Sequence, residues 1–425
     1  MITANAVDRT DTATIAPEAP GFDVAAVRAD FPILAQTVRG KPLTYLDSGA
    51  SAQKPKAVID AITSLYTHDY ANVHRGAYSL SEKSTSLYEG SREIARRFIN
   101  AESTREVVFT KGATEAVNLV AATYGRSFLS EGDEVIISEL EHHSNIVPWQ
   151  MLRDEKGLVL KVVPITDDGA FDLAAFKGML TERTKIVSVA HVSNVLGTVL
   201  PVKEITQAAH AVGARVLIDG CQGAVHIPVD VQDLDCDFYV FSGHKLYGPT
   251  GVGILYGKEA LLDAMPPYQG GGDMIATVTF EKSTWAELPA KFEAGTPPIS
   301  AAIALGAAMD YVSALGLEKI AAHEHALLNY AQQQLASVEG LTLYGTTPGK
   351  CAVMSFTMDC AHPHDIATIL DQSGVCIRAG HHCAQPVMER FGVPAMSRAS
   401  LGMYNTRDDI DRLIKGLGSV RKIFG

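Results

Sequence analysis

The sequence predicts an α/β fold, with a large domain built on a mostly parallel sheet and a smaller α+β domain after it. Three observations lead there. Short apolar runs alternate with helical stretches from residue 106 to residue 241, the pattern of parallel strands joined by crossover helices. Several of these runs end in chemistry-bearing residues, as expected where strand ends collect at one sheet edge. After Pro297-Pro298 the alternation gives way to a long helical stretch, then to short strands mixed with helices.

The elements follow in order. Residues 1–20 are rich in Thr, Ala and Pro and lack an apolar core, which predicts a disordered tail and neither a secretory signal nor a transit peptide. Order is expected from Phe22, with a short helix over Val24 to Phe31 and a strand at Leu43 to Leu46. Residues 21–45 are expected to pack with the small domain, residues 46–298 to form the large domain and residues 299–425 the small one. Helices are predicted over Ser81 to Ile99, Ala113 to Tyr124, Asn145 to Lys156, Leu173 to Met179 and Ile205 to Val212. Strands are predicted over Glu106 to Thr110, Glu134 to Ser138, Leu158 to Pro164, Thr184 to Ala190, Ala214 to Ile218 and Phe238 to Phe241. Beyond the prolines, one helical stretch is expected from Ile299 to about Val338. Strands near Thr342 to Tyr344 and Ala352 to Met358, a helix from His364 to Gln372 and a last helix from Arg407 to Ile423 complete the chain.

Composition narrows the function. The 425 residues are 47% apolar and 20% charged, as in ordinary globular enzymes, and the formal charge of −12 argues against a nucleic-acid surface. The most apolar stretch, Ile299 to Leu317, is interrupted by Ser300, Asp310 and Ser313 and reads as a packed helix, so no membrane span is expected. Six cysteines make no disulfide framework, which points to reduced thiols and a cytoplasmic location.

The richest chemistry lies in Ile218-Asp219-Gly220-Cys221-Gln222 and Phe241-Ser242-Gly243-His244-Lys245. Two apolar strands ending in Asp219 and Lys245 would bring a carboxylate and an amine to one sheet edge. An aldehyde cofactor with a pyridine nitrogen needs that pair: the amine forms a Schiff base and the carboxylate keeps the ring nitrogen protonated. Gln222 can reach the same ring edge. Thr110-Lys111-Gly112-Ala113-Thr114 is a strand, a glycine turn and a helix start, so it is either a phosphate cradle or a plain helix cap. It matches neither the Walker pattern nor G-x-G-x-x-G. His142, in Glu141-His142-His143-Ser144-Asn145, can stack on a flat ring and shuttle protons; zinc is disfavoured because the histidines are adjacent. Asn194 can donate to a substrate carboxylate or a ring hydroxyl, or simply turn a loop. In Arg378-Ala379-Gly380-His381-His382-Cys383 the cysteine is either a reactive thiolate, which the surroundings suit, or an inert buried thiol; three adjacent residues converge poorly on one metal ion. Arg398 can grip a carboxylate bidentately or make a surface ion pair.

Together the segments D-S-G-A-S (47–51), N-V-H-R-G (72–76), T-K-G-A-T-E-A-V-N (110–118), E-H-H-S-N-I-V-P-W (141–149), I-D-G-C-Q (218–222), S-G-H-K (242–245), F-E-A-G-T-P (292–297), R-A-G-H-H-C-A-Q-P (378–386) and S-R-A-S-L-G-M-Y-N-T (397–406) resemble the cysteine desulfurases of the class V aminotransferase family. The likeness is to the SufS-like branch, related to selenocysteine lyases, and runs from Phe22 to the C-terminus. It implies a fold type I enzyme dependent on pyridoxal 5'-phosphate, with a seven-stranded sheet in the large domain. By the same resemblance Lys245 holds the cofactor, Asp219 pairs with its ring nitrogen, His142 stacks on the ring and Gln222 neighbours the ring hydroxyl. Thr114, Ser242 and His244 bind the phosphate, and Thr296 reaches the phosphate of the other subunit of a homodimer. Arg398, helped by Asn194, holds the substrate carboxylate; Arg378, His74 and Arg75 belong to the substrate site, the last two at its entrance.

The implied reaction converts L-cysteine to L-alanine and leaves the sulfur on Cys383 as a persulfide, for iron–sulfur cluster assembly. Cys383 lies on a short loop ending at Gln385-Pro386, which suggests modest turnover unless a sulfur acceptor of the SufU or SufE type removes the persulfide. Selenocysteine lyase activity from the same residues is the nearest alternative. A sulfur-relay protein that acts mainly by docking a scaffold is another, with His364 either ligating a partner's zinc or capping a helix. No resident metal is expected.

Overall fold

The computed structural model describes residues 21–425, so the tail expected over residues 1–20 lies outside the described part. The core of the large domain is a seven-stranded sheet. Its spatial order is Val107–Thr110, Gly253–Gly257, Phe238–Ser242, Arg215–Asp219, Thr184–Ala190, Glu134–Ser138, Val159–Val163. Gly253–Gly257 runs antiparallel to both neighbours and every other neighbouring pair is parallel. Six strands therefore point the same way, and their carboxyl ends share one edge. The central strands are buried along their whole length, which explains why they read as unbroken apolar runs rather than alternating ones.

The small domain carries a four-stranded antiparallel sheet in the order Leu341–Tyr344, Val353–Met358, Met396–Ser400, Arg378–Gly380. The helices Leu317–Ala336, Pro363–Asp371 and Arg407–Phe424 cover it, with Leu328, Leu335, Ile366, Leu370, Leu413 and Leu417 packed around Met354 and Phe356. The N-terminal segment ties in by a parallel pairing of Thr44–Tyr45 with Val375–Cys376, and by Arg28, which meets Asp409 at 3.0 Å.

Two expectations need correction. The stretch from Ile299 to Val338 is not one helix: it breaks at Gly316, whose φ of 87° ends Ile299–Leu315, and Leu317–Ala336 leaves at 75°. The first of these helices also belongs to the large core, not the small one. Its Ile299, Leu305, Met309 and Val312 share an apolar cluster with Tyr88, Phe241 and Tyr247, and the same cluster runs on through Ile320, Met388 and Met396, so apolar packing is continuous across the prolines. No single helix among the described residues is long and apolar enough to cross a membrane.

A buried ion pair braces the helix Ser79–Phe98 against the sheet. Arg92, 2% exposed, meets both carboxylate oxygens of Glu293 at 2.6 and 2.9 Å, while Glu293 also accepts from Phe109 N–H at 2.7 Å and Tyr88 O–H at 3.0 Å. Arg92 Nε also meets Glu89 at 2.9 Å, but that carboxylate is exposed, so removing Glu293 takes away the buried partner of a buried guanidinium and leaves Phe109 N–H and Tyr88 O–H without their acceptor. Glu293→Ala is expected to cost about 3–5 kcal/mol, read from the shift of the urea unfolding curve.

Candidate active site

The sheet edge builds the site. Thr110, Gly253 and Ser242 stand level across three strands, and the chain turns at Gly112 directly above them. A side chain at Gly253 would come within 2.6 Å of the Gly112 Cα, so glycine there lets the turn close down. Gly112 itself has φ 151°, a left-handed conformation suited to glycine. The turn delivers the N-terminus of the helix Ala113–Val120 to the edge, where Ala113 N–H donates to Ser242 Oγ at 2.9 Å. Four loops from neighbouring strand ends, carrying His142, Asn194, Cys221 and Lys245, surround that point.

Between them and the small domain lies a cavity of about 200 Å³. Thr114, His142, Asn194, Ser242, His244, Lys245, Arg378, Cys383 and Arg398 all line it, joined by Gly49, Ala50, Ser144, Cys221 and His382. Residues separated by more than 280 positions in the chain thus meet in one chamber. Asp219 and Gln222 are not among the lining residues; they stand behind them, bonded to Cys221 and Gly49. Asp219, 5% exposed, accepts from Cys221 N–H at 3.0 Å, and Gln222 Nε2 donates to the Gly49 carbonyl at 2.8 Å.

The histidines here are neutral rings. Burial first, then the Lys245 ammonium, push His142 down to about 4; burial, Lys245 and Lys54 do the same to His244. His142 Nδ1 accepts from Ser144 N–H at 3.1 Å, which leaves the ring's proton on Nε2. A lowered pKa postpones protonation to lower pH. From about pH 5 to 8, where an ordinary histidine titrates, the His142 ring nitrogens should show no change by heteronuclear NMR.

Two arginines face each other across an antiparallel pair, Arg378 opposite Arg398. Like charges at opposed positions repel, and Asp47 answers both. It meets Arg378 Nη2 at 3.0 Å and Arg398 Nη2 at 3.3 Å. Arg398 Nη1 donates to the Asn194 carbonyl at 2.8 Å, while its buried Nε has no partner among the described residues. An anion entering the cavity would find this guanidinium already aimed. Asn194 is committed elsewhere: its Nδ2 donates to the His382 carbonyl at 2.8 Å, so it holds the cysteine loop as well as reaching the cavity.

Cys383 is exposed, and all six cysteines are free thiols. His382 and Cys383 both adopt left-handed backbone, φ 53° and 55°, an arrangement that costs energy for residues with side chains.

Four expected residues lie elsewhere in the single chain. His74 and Arg75 line a separate cavity, where His74 pairs with Glu89 at 2.9 Å and Arg75 with Asp273 at 2.8 Å. Within one chain they therefore do not form the entrance to the Lys245 cavity. Thr296 lines a third cavity beside Tyr88 and Phe109. His364 is on the surface, its side chain 80% exposed, and the turn before it is capped by His362, whose Nδ1 accepts from His364 N–H at 3.2 Å. Asp47, Ser144, Cys221 and His382 are site residues that sequence reasoning gave no role. Asp47 stood inside the quoted D-S-G-A-S motif, but nothing local says which arginines it meets.

The family model described as aminotransferase class-V matches residues 44–413. The chain belongs to this family. A cysteine desulfurase of Dickeya dadantii (strain 3937) is 54% identical over 405 residues, which is 95% of this chain and 98% of that protein. The crystal structure of the cysteine desulfurase CsdA from Escherichia coli superposes with a TM-score of 0.89 at 38% identity, covering 95% of this chain and 100% of that one. The apo cysteine desulfurase from Thermococcus onnurineus NA1 does so with a TM-score of 0.89 at 36% identity, covering 97% and 99%.

The donor set of this family member suits pyridoxal phosphate. A helix N-terminus with the Thr114 and Ser242 hydroxyls fits a phosphate group. A neutral His142 fits a ring face, a buried Asp219 fits a pyridinium nitrogen, and Lys245 fits the aldehyde carbon.

Proposed function

We propose that this chain is a pyridoxal-phosphate-dependent cysteine desulfurase that converts L-cysteine to L-alanine and carries the sulfur on Cys383. One observation supports the reading above all: an exposed thiol shares a cavity with Lys245 and with Arg398, whose Nε is unpartnered among the described residues. A plain transaminase has no use for that thiol.

When bound, pyridoxal phosphate supplies an electron-withdrawing ring that makes the substrate's Cα–H acidic and its C–S bond labile. The chain's own residues do the rest. Thr114, Ser242 and His244 would hold the phosphate, Asp219 would keep a positive charge at the ring nitrogen, a neutral His142 would stack on the ring, and Gln222 would neighbour the ring hydroxyl. Arg398 holds the substrate carboxylate, with Arg378 beside it. Lys245, as a free amine, takes the Cα proton and returns one. The Cys383 thiolate attacks the substrate sulfur, so an S–S bond forms as the C–S bond breaks, and the carbon left behind takes a proton to become alanine.

A homodimer belongs to the same reading, with Thr296, His74 and Arg75 acting across the subunit boundary. So do a cytoplasmic setting, service to iron–sulfur cluster assembly, and an acceptor of the SufU or SufE type, with His364 exposed for contact with it. Incubating the protein with pyridoxal phosphate, L-cysteine and a thiol reductant should yield alanine and sulfide in equal amounts. Pyruvate in place of alanine, or no product, would overturn the reading. Arg398→Lys should raise KM for cysteine by about ten-fold or more, because an ammonium cannot replace a forked guanidinium on a carboxylate; an unchanged KM would remove Arg398 from the substrate site.

A further inference from the structure

The loop that carries the nucleophile is gripped at Cys383 and again two residues beyond it by one residue that the chemistry above leaves unused. His143 N–H donates to the Cys383 carbonyl at 2.7 Å. The His143 ring reaches past the cysteine, and its Nε2 accepts from Gln385 N–H at 3.0 Å. His143 follows directly on His142, so the ring-stacking segment and the sulfur-accepting segment are joined by two hydrogen bonds through a single residue.

The loop needs such a clamp. Successive left-handed residues at 382 and 383 are disfavoured for side-chain-bearing residues, and the cysteine is exposed. On the inner side the loop is already fixed, by Asn194 Nδ2 on the His382 carbonyl and by His382 Nε2 lying 3.0 Å from the Met396 carbonyl. Without His143, the Cys383 carbonyl and the Gln385 N–H would lose these partners, and the segment would be left with the Ala384 N–H bond to the His381 carbonyl, the Val387 N–H bond to the Ala384 carbonyl and the Gln385 side-chain bond to Glu389, none of which holds the Cys383 carbonyl.

Resting on the desulfurase reading, we propose that His143 is a positioning residue. It fixes the backbone at Cys383 so that the thiolate meets the substrate sulfur held between Lys245 and Arg398. Its ring acts as a hydrogen-bond acceptor, and any side chain that presents an acceptor at the Nε2 position should serve.

That requirement makes the test specific. His143→Leu keeps bulk and the main-chain bond but removes the acceptor; His143→Gln restores an acceptor near Nε2. In His143→Leu the Gln385 amide should exchange with solvent about five-fold faster, as expected for loss of one hydrogen bond. Its kcat for alanine formation should fall roughly ten- to a hundred-fold, the scale of a misplaced reacting group, with KM for cysteine little changed. His143→Gln should recover both the slow exchange and most of kcat. Equal Gln385 exchange in the native chain and His143→Leu would overturn the proposal, as would a Gln variant no better than Leu. The exchange readout does not require turnover, so it tests the clamp even if the native chain fails to desulfurate cysteine, which would sink the desulfurase reading instead.

Discussion

Cys383→Ser will hold pyridoxal phosphate as the native chain does and will release no sulfur from cysteine. The expectation follows from where the thiol sits. It lines the cavity with Lys245 and Arg398 but makes no hydrogen bond among the described residues, its backbone carbonyl being what His143 contacts. Serine preserves the backbone and removes only the soft nucleophile, so binding should survive while sulfide output falls by several orders of magnitude. Absorbance of the bound cofactor checks the first half and a sulfide assay the second. Selenocysteine separates the related lyase activity: its weaker C–Se bond can break without thiolate attack, so a Cys383→Ser variant that still releases selenium identifies that reaction as independent of Cys383.

Lys245→Ala will no longer attach the cofactor covalently. In the native chain, borohydride reduction followed by denaturation should leave the cofactor on the peptide containing Lys245. The variant should lose it entirely, and alanine formation should fall on the order of a thousand-fold as the proton carrier disappears. The replacement removes an amine at the mouth of a buried strand, beside His244, whose ring it helps keep neutral. Loss of the Lys245 ammonium should therefore let the His244 pKa rise from about 4, a change visible by NMR that accompanies no unfolding. Cofactor recovered on another lysine would move the catalytic role elsewhere.

Much of this was legible in the sequence because a parallel sheet concentrates its chemistry. Each buried strand reads as an apolar run, and whatever follows it must lie at the common edge; Asp219 and Lys245 could be placed there without any structure. The same logic failed where contacts are long-range or the pattern is short. Gly253–Gly257, flanked by glycines and five residues long, gave no strand signal, yet it is the one antiparallel member of the sheet. The helix Ile299–Leu315 is apolar around most of its circumference, so its pattern did not say which core it would join. Asp47 sits 331 residues from Arg378, and only the folded chain shows that it reconciles two arginines placed side by side. His74, Arg75 and Thr296 were named by resemblance, and a single chain holds them in other cavities. His143 was passed over because its neighbour had the evident role.

The central claim is that Cys383 receives the sulfur of cysteine, and peptide mass spectrometry after a single turnover without reductant tests it most directly. The peptide containing Cys383 should gain one sulfur atom, removable by reductant, in proportion to the alanine formed. Alanine formed while that peptide stays unmodified, or the extra sulfur found on Cys221 instead, would contradict it.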